Sequence, residues 1–305
     1  MIFKLFKPDN HLTKDTMIFP SGMSRSGTTL LATVLDSHSQ VSLGYELIPP
    51  KLPAPMQLKR IVEECLILCN NDMDKCGAEL RSTGRKDVGL FVIRAFRAGL
   101  SSEDLVAILN ELKAEGLKDI SSFPQRLEVA WRIAKRKKEK EGTPVYGFKL
   151  NSPSVDEAFH LFPNGYFIYI LRDPRDVVAS HIKRGFDRTV REICAAWVNY
   201  IKSFEKFNTA HPDRSLIIRY EDLVSKPDKT INEIFEKLPL ELEPQVFRFY
   251  DSKASVHKGG HPNSENLKKD FFTSSIGRGG SELTREVTAE IDKLCKEKMD
   301  KYFYE

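Results

Sequence analysis

Short runs of consecutive apolar residues recur along the chain, each bounded by Gly, Pro or polar residues, and the stretches between them change to helical spacing. Met17-Ile18-Phe19 is stopped by Pro20-Ser21-Gly22 and followed by Leu30, Leu31, Val34 and Leu35 at helical intervals. This predicts a strand, a glycine-bearing loop and a helix. Val145 to Leu150, Tyr166 to Leu171 and Leu216 to Tyr220 read as further strands, being short and rich in β-branched or aromatic residues. Unbroken apolar runs suit strands buried on both faces. Helices are predicted over Val155 to Phe162, over Asp176 to Arg184, and along a longer segment with Val190, Ile193, Cys194, Trp197, Val198 and Ile201 on one face. Ile231, Ile234, Phe235 and Leu238 mark another. A last helix begins near Thr284 as N-cap and carries Val287, Ile291, Leu294 and Cys295.

Strands alternating with helices predict an α/β fold with a parallel sheet flanked by helices. From Pro49 to Gly142 the alternation stops, because the periodic patches there (Leu58, Ile61, Val62, Cys65, Leu66 and Cys69; Leu105, Ile108, Leu109 and Leu112) are helical. We read residues 1–305 as one domain and residues 49–142 as a helical insertion after the first strand–helix unit. Insertions of this kind usually lie over the active face, so this one is expected to shape the acceptor site.

Composition narrows the partners. Lys and Arg number 47 against 43 Asp and Glu, a formal charge of +4, too mild for wholesale nucleic-acid or membrane-surface binding. Any anion site must be local. Met1 to Asn10 lacks the apolar run of a signal peptide, and no stretch approaches the roughly 18 residues of a membrane span. With 5 cysteines, an odd number, the expectation is a soluble, intracellular, cytoplasmic protein. Cys65 and Cys69 fall within an apolar helical pattern without accompanying His, so they are expected to pack, and no metal is expected. Lys135 to Lys140 reads as a solvated helix face.

Gly22-Met23-Ser24-Arg25-Ser26-Gly27-Thr28-Thr29 fits the P-loop frame, two glycines five apart between a strand and a helix. Backbone N–H groups, the helix N-terminus and the hydroxyls of Thr28 and Thr29 make an anion cradle there. Where nucleotide triphosphatases carry Lys this chain has Thr28, and a cation sits inside the loop instead, at Arg25. A second anion site follows the Tyr166 to Leu171 strand: Arg172 at the strand end, Pro174 opening a helix, and Ser180 and Arg184 four apart on one helix face.

These residues resemble the sulfotransferases that use 3′-phosphoadenosine 5′-phosphosulfate (PAPS). Pro20 to Leu31 is similar to their 5′-phosphosulfate loop, and Tyr169 to Arg184 to the segment that holds the 3′-phosphate. Leu216 to Val224 matches as well, and the resemblance implies that Tyr220 contacts the nucleotide. Ser274 to Gly280 resembles the family's C-terminal closing loop, which brings in Ser275 and Arg278; Gly279 replaces the aromatic residue that often follows the Gly-Arg pair. Leu35-Asp36-Ser37-His38 followed by Gly44-Tyr45-Glu46 looks closer to the protein-tyrosine and carbohydrate branches than to the small-molecule branch.

The resemblance implies PAPS as donor and its bisphosphate product, PAP, with no metal. Arg25, the loop amides and Thr28 would stabilise the leaving phosphate. Lys149 resembles a family lysine that aids this step, and Glu46 would be the acceptor base. His38 is expected to pack, and His181 to turn away from Ser180. The acceptor hydroxyl or amine stays open among small metabolite, carbohydrate, lipid headgroup and peptide tyrosine. Two other readings stay open: a P-loop kinase or NTPase, and a catalytically inert nucleotide-binding protein.

Overall fold

A computed structural model describes residues 11–116, 118–185, 187–254, 264–302 and 304. Met1 to Asn10, read above for a signal peptide, lies outside the described residues. Strands β1 (Met17–Ser21), β2 (Val41–Gly44), β3 (Val145–Phe148), β4 (Gly165–Leu171) and β5 (Ser215–Arg219) form one parallel sheet in the order β2-β3-β1-β4-β5. The register pairs Ile18 with Gly147 and with Tyr166, so β1 lies at the centre, and the loop leaving its carboxyl end is flanked by the ends of β3 and β4.

Alternate residues of the sheet feed two cores. Phe19, Phe148, Phe167 and Tyr169 point to one, where the rings of Phe19 and Phe167 stack 4.7 Å apart. Ile18, Ile168, Ile170 and Ile218 point to the other. This is why the strands are apolar throughout rather than alternating. The second core is closed by α1 (Thr28–Asp36), and later by α10 (Tyr220–Ser225) and α11 (Pro227–Lys237).

Five helices occupy the stretch between β2 and β3: α2 (Pro55–Leu68), α3 (Met73–Ser82), α4 (Lys86–Arg97), α5 (Ser102–Ala114) and α6 (Phe123–Glu141). They extend the first core, with Cys65 and Cys76 buried in it. Helices α5 and α6 start on capping boxes, Ser101 with Asp104 and Ser122 with Gln125. The basic run is only in part a solvated face, with Lys135, Glu139 and Lys140 exposed. Lys137 is only 2% exposed and reaches Glu141 at 2.6 Å, while Arg136 and Lys140 pair with Glu111 and Asp104 on α5. It ties α6 to α5 and to the sheet.

Helices α7 (Val155–Leu161), α8 (Pro174–Lys183) and α9 (Val190–Ala210) follow, and the short α12 (Ser264–Leu267) and α13 (Arg278–Glu282) flank the C-terminal loop. The last helix, α14 (Arg285–Lys301), is capped by Thr284 as its sequence predicts. Two departures from the sequence reading matter for the site. β2, which the pattern did not reveal, aims the segment after Gly44. Tyr220 is not the end of a strand but the first residue of α10. No described helix is long and apolar enough to cross a membrane.

Candidate active site

The loop after β1 is built on three residues with positive φ. Gly22 (φ 148°) passes so close to β4 that a Cβ there would lie 2.6 Å from the carbonyl of Ile170. Gly27 (φ 93°) meets the ring of Tyr220, where a Cβ would lie 2.5 Å from Cδ2. Between them Arg25, with φ 74°, holds a left-handed conformation that a side chain disfavours by about 1–2 kcal/mol. Gly27 also occupies the N-cap of α1 without any side-chain cap, leaving the first N–H groups of that helix without a capping partner.

One cleft gathers residues from distant parts of the chain: Arg25, Gly27, Thr28 and Thr29 from the loop, Arg172 and Ser180 around α8, Tyr220, and Ser275 and Arg278. Arg25 Nε donates to Ser180 Oγ at 2.8 Å. Arg172, buried, lies over the Tyr220 ring at 4.5 Å and donates to the Arg25 carbonyl at 3.2 Å and to the Ser275 carbonyl. Its own carbonyl is fixed by Trp197 Nε1 of α9 at 2.9 Å. Asp176 joins Arg172 at 3.2 Å and also accepts from the backbone of Gly277 and Gly279, so it holds the C-terminal loop against α8. A Cβ on Gly279 would come 2.5 Å from Cβ of Arg175, which explains why glycine stands where an aromatic residue was expected.

Burial first, then the neighbouring charges of Arg184, Arg172 and Arg278, lower the pKa of Arg25. Cations crowded in this way call for an anion among them. Arg172 Nε is buried with no hydrogen-bond partner among the described residues, a donor left over for such an anion. The donor set therefore fits a phosphorylated nucleotide.

Gly22, Met23, Ser24, Ser26 and Arg184 do not line the cleft. Met23 and Ser26 are buried and close the turn, Ser26 N donating to the Met23 carbonyl at 3.2 Å. Ser24 Oγ lies 3.1 Å from Nε2 of the buried His181, which braces the loop and whose pKa burial lowers. Arg184 is exposed at the C-cap of α8, and its charge is among those that lower the pKa of Arg25. His38 packs as expected: it is buried, stacks on Phe235 and lies 2.8 Å from the Glu241 carbonyl.

Lys149 and Glu46 stand on the other side of the loop. Lys149, one residue past β3 and 3% exposed, places Nζ 3.2 Å from Thr29 Oγ1 and 3.2 Å from Glu46 Oε1. Burial lowers its pKa, although Glu46 opposes the shift. Glu46 takes φ 54°, a second non-glycine residue in the left-handed region, and its other oxygen is 3.8 Å from Arg94 of α4. Sequence reasoning missed Arg94. It also missed the apolar end of the cleft, formed by Val224, Phe249, Leu267, Phe271 and Phe272. The Phe271-Phe272 pair just upstream of Ser274 was the one visible signal for that end.

A parallel sheet whose first strand feeds a glycine-bearing anion loop defines a P-loop-like α/β protein. Residues 18–244 match the model of the sulfotransferase family, and the chain belongs to that family. A Drosophila melanogaster protein-tyrosine sulfotransferase is 27% identical over 73% of this chain, which spans 38% of that relative's length. The omega-hydroxy-beta-dihydromenaquinone-9 sulfotransferase of Mycobacterium bovis is 25% identical over 95% of the chain and 76% of its own. Among solved structures, the sulfotransferase domain of a Synechococcus PCC 7002 olefin synthase superposes with a TM-score of 0.67 at 20% identity, covering 99% of each chain. That of the curacin biosynthetic pathway gives 0.59 at 19% identity, over 92% of this chain and 98% of that one. At these identities the superpositions establish the fold.

Proposed function

We propose that the protein transfers a sulfuryl group from PAPS to a hydroxyl or amine of an acceptor, with Arg25, Lys149 and Glu46 as the reacting-centre residues. The observation that carries the reading is the single cleft in which the loop Arg25-to-Thr29 meets Arg172, Ser180, Tyr220, Ser275 and Arg278, with Arg172 Nε buried and unpartnered among the described residues. Phe249, Leu267 and Phe271 suit an adenine ring, the α8 side of the cleft a 3′-phosphate, and the loop a 5′-phosphosulfate. The substrate supplies a sulfuryl group activated on phosphate. As the acceptor oxygen–sulfur bond forms, the sulfur–oxygen bond to the phosphate breaks, and its electron pair stays on the phosphate. Lys149 and the loop amides stabilise that growing charge. Glu46, at the mouth beside Lys149, takes the acceptor's proton. Thr28 in the usual lysine position argues against a magnesium triphosphate.

Thermal unfolding tests the reading without knowledge of the acceptor. A ligand at a hundredfold excess over its Kd adds about 2.7 kcal/mol, a few degrees in Tm for a chain of this size. PAP without magnesium is expected to give that shift, and ATP with magnesium a smaller one. A larger, magnesium-dependent shift with ATP overturns the proposal in favour of a kinase-like protein. Release of PAP from PAPS then separates an enzyme from an inert binder.

A further inference from the structure

Beside Glu46 and Lys149 opens a second cavity of about 480 Å³, roofed by the helices between β2 and β3. Its walls are apolar at Ile48, Leu90 and Phe123 and cationic at Arg94 on α4 and Arg126 on α6. Glu46 is the one carboxylate among its lining residues, against Arg94, Arg126 and Lys149. Each arginine is held in place by the backbone that follows Glu46. Arg94 donates from a terminal nitrogen to the Ile48 carbonyl at 2.8 Å, and Arg126 from Nε to the Pro49 carbonyl at 2.6 Å. Both guanidiniums are thus fixed by neutral carbonyls, which orient a cation without neutralising it.

The charge balance of this cavity is incomplete. Among the described residues Arg94 Nε is buried with no hydrogen-bond partner, and the ion pair Arg94 makes is a share of Glu46, at 3.8 Å. Arg126 makes no ion pair among the described residues, and burial alone lowers its pKa. Partly buried cations without counter-charge are costly unless an anion completes them. Of the cations assigned to the nucleotide only Lys149 borders this cavity, while Arg25, Arg172 and Arg278 line the other cleft, so the nucleotide leaves the charge of Arg94 and Arg126 unmatched.

We infer that the acceptor is a hydroxylated carboxylic acid, its carboxylate held by Arg94 and Arg126, its apolar body against Ile48, Leu90 and Phe123, and its hydroxyl at Glu46 and Lys149. This inference rests on the sulfotransferase reading of the same site. A planar carboxylate matches the guanidinium fork, and a cavity of this size admits a small organic acid. Specificity follows from the same groups, because a neutral isostere leaves both cations unpaired.

The test uses the full chain with PAP bound for titration and PAPS for turnover. The probes are aliphatic and aromatic hydroxy acids of three to ten carbons, each beside its primary amide. At least one acid is expected to bind and accept sulfuryl about ten- to a hundredfold better than its amide, the range of a charged hydrogen-bonded pair. In Arg126→Gln that acid is expected to fall to the level of its amide through KM, while the Tm shift given by PAP persists and reports a folded nucleotide site. Arg126→Lys is expected to restore part of the preference. No acid preferred over its amide, or a preference that survives Arg126→Gln, overturns the inference. Loss of the PAP shift in the unmodified protein would instead overturn the sulfotransferase reading itself.

Discussion

Arg25 Nε donates to Ser180 Oγ across 2.8 Å, joining the loop after β1 to the helix after β4. The sequence suggested separate duties, Arg25 for the reacting end of the donor and the Arg172 segment for its 3′-phosphate. The bond, together with the Arg172 contact to the Arg25 carbonyl, makes the two segments one unit. Arg25→Ala is therefore expected to lower kcat and also raise the donor KM, whereas Arg172→Ala should act mainly on donor KM. Steady-state kinetics with PAPS varied distinguishes these outcomes. An Arg25→Ala enzyme with unchanged donor KM would show that the loop and α8 bind independently.

Asp176 is the hinge pin of the C-terminal loop, accepting from Gly279 N at 2.8 Å and Gly277 N at 3.0 Å while facing Arg172. Asp176→Asn preserves the shape but removes the charge, and hydrogen bonds to charged groups contribute about 1.5–3 kcal/mol each. The variant is expected to bind PAP at least tenfold more weakly by calorimetry. Its kcat at saturating donor should change less, because Asp176 lies away from Glu46 and Lys149. A variant with normal PAP affinity would mean that Arg172 and Ser275 hold the loop unaided.

Much of this arrangement was legible in the sequence, for a physical reason. β1, β3 and β4 are buried on both faces, so their apolar runs are unbroken, and the anion loop is constrained by backbone geometry that only particular residues tolerate. β2 escaped notice because Val41-Ser42-Leu43-Gly44 is a four-residue edge strand with small residues at alternate places. Tyr220 was drawn into the preceding strand because apolar pattern alone does not mark where Arg219 turns into a helix. Arg94 and Arg126 were invisible for a different reason. On amphipathic helices a cation reads as solvent-facing, and only tertiary packing turns it inward to the carbonyls of Ile48 and Pro49. The pairing of Lys137 with Glu141 and Asp36 was hidden in the same way.

Glu46 sits between Lys149 and Arg94 in a backbone conformation unfavourable for any residue with a Cβ. Such strain is retained where position matters. Glu46→Gln keeps the shape and one oxygen to accept from Lys149, but it turns the oxygen facing Arg94 into a donor and removes the base, so turnover should fall on the order of 10²–10⁴-fold. The PAP-induced Tm shift should remain. Near-normal turnover in this variant with a working acceptor would move the base elsewhere.

Lys149 gives the pH dependence. Its ammonium is buried against Thr29 and Glu46, and burial lowers its pKa below 10.5, the ordinary lysine value. A lowered lysine pKa means that between that pKa and 10.5 the unfolded chain binds the extra proton. Across that window Lys149 makes folding more favourable as pH rises, and below it the buried charge is a net cost to the apo protein. Catalysis runs the other way, since only the ammonium form stabilises the leaving phosphate. The profile of kcat/KM for PAPS, which reports the free enzyme, should therefore fall on its alkaline side with a midpoint below that of a free lysine. Lys149→Arg, which stays protonated throughout, should lose that limb whatever its absolute rate. An alkaline limb that persists unchanged in Lys149→Arg would assign the titration to another group.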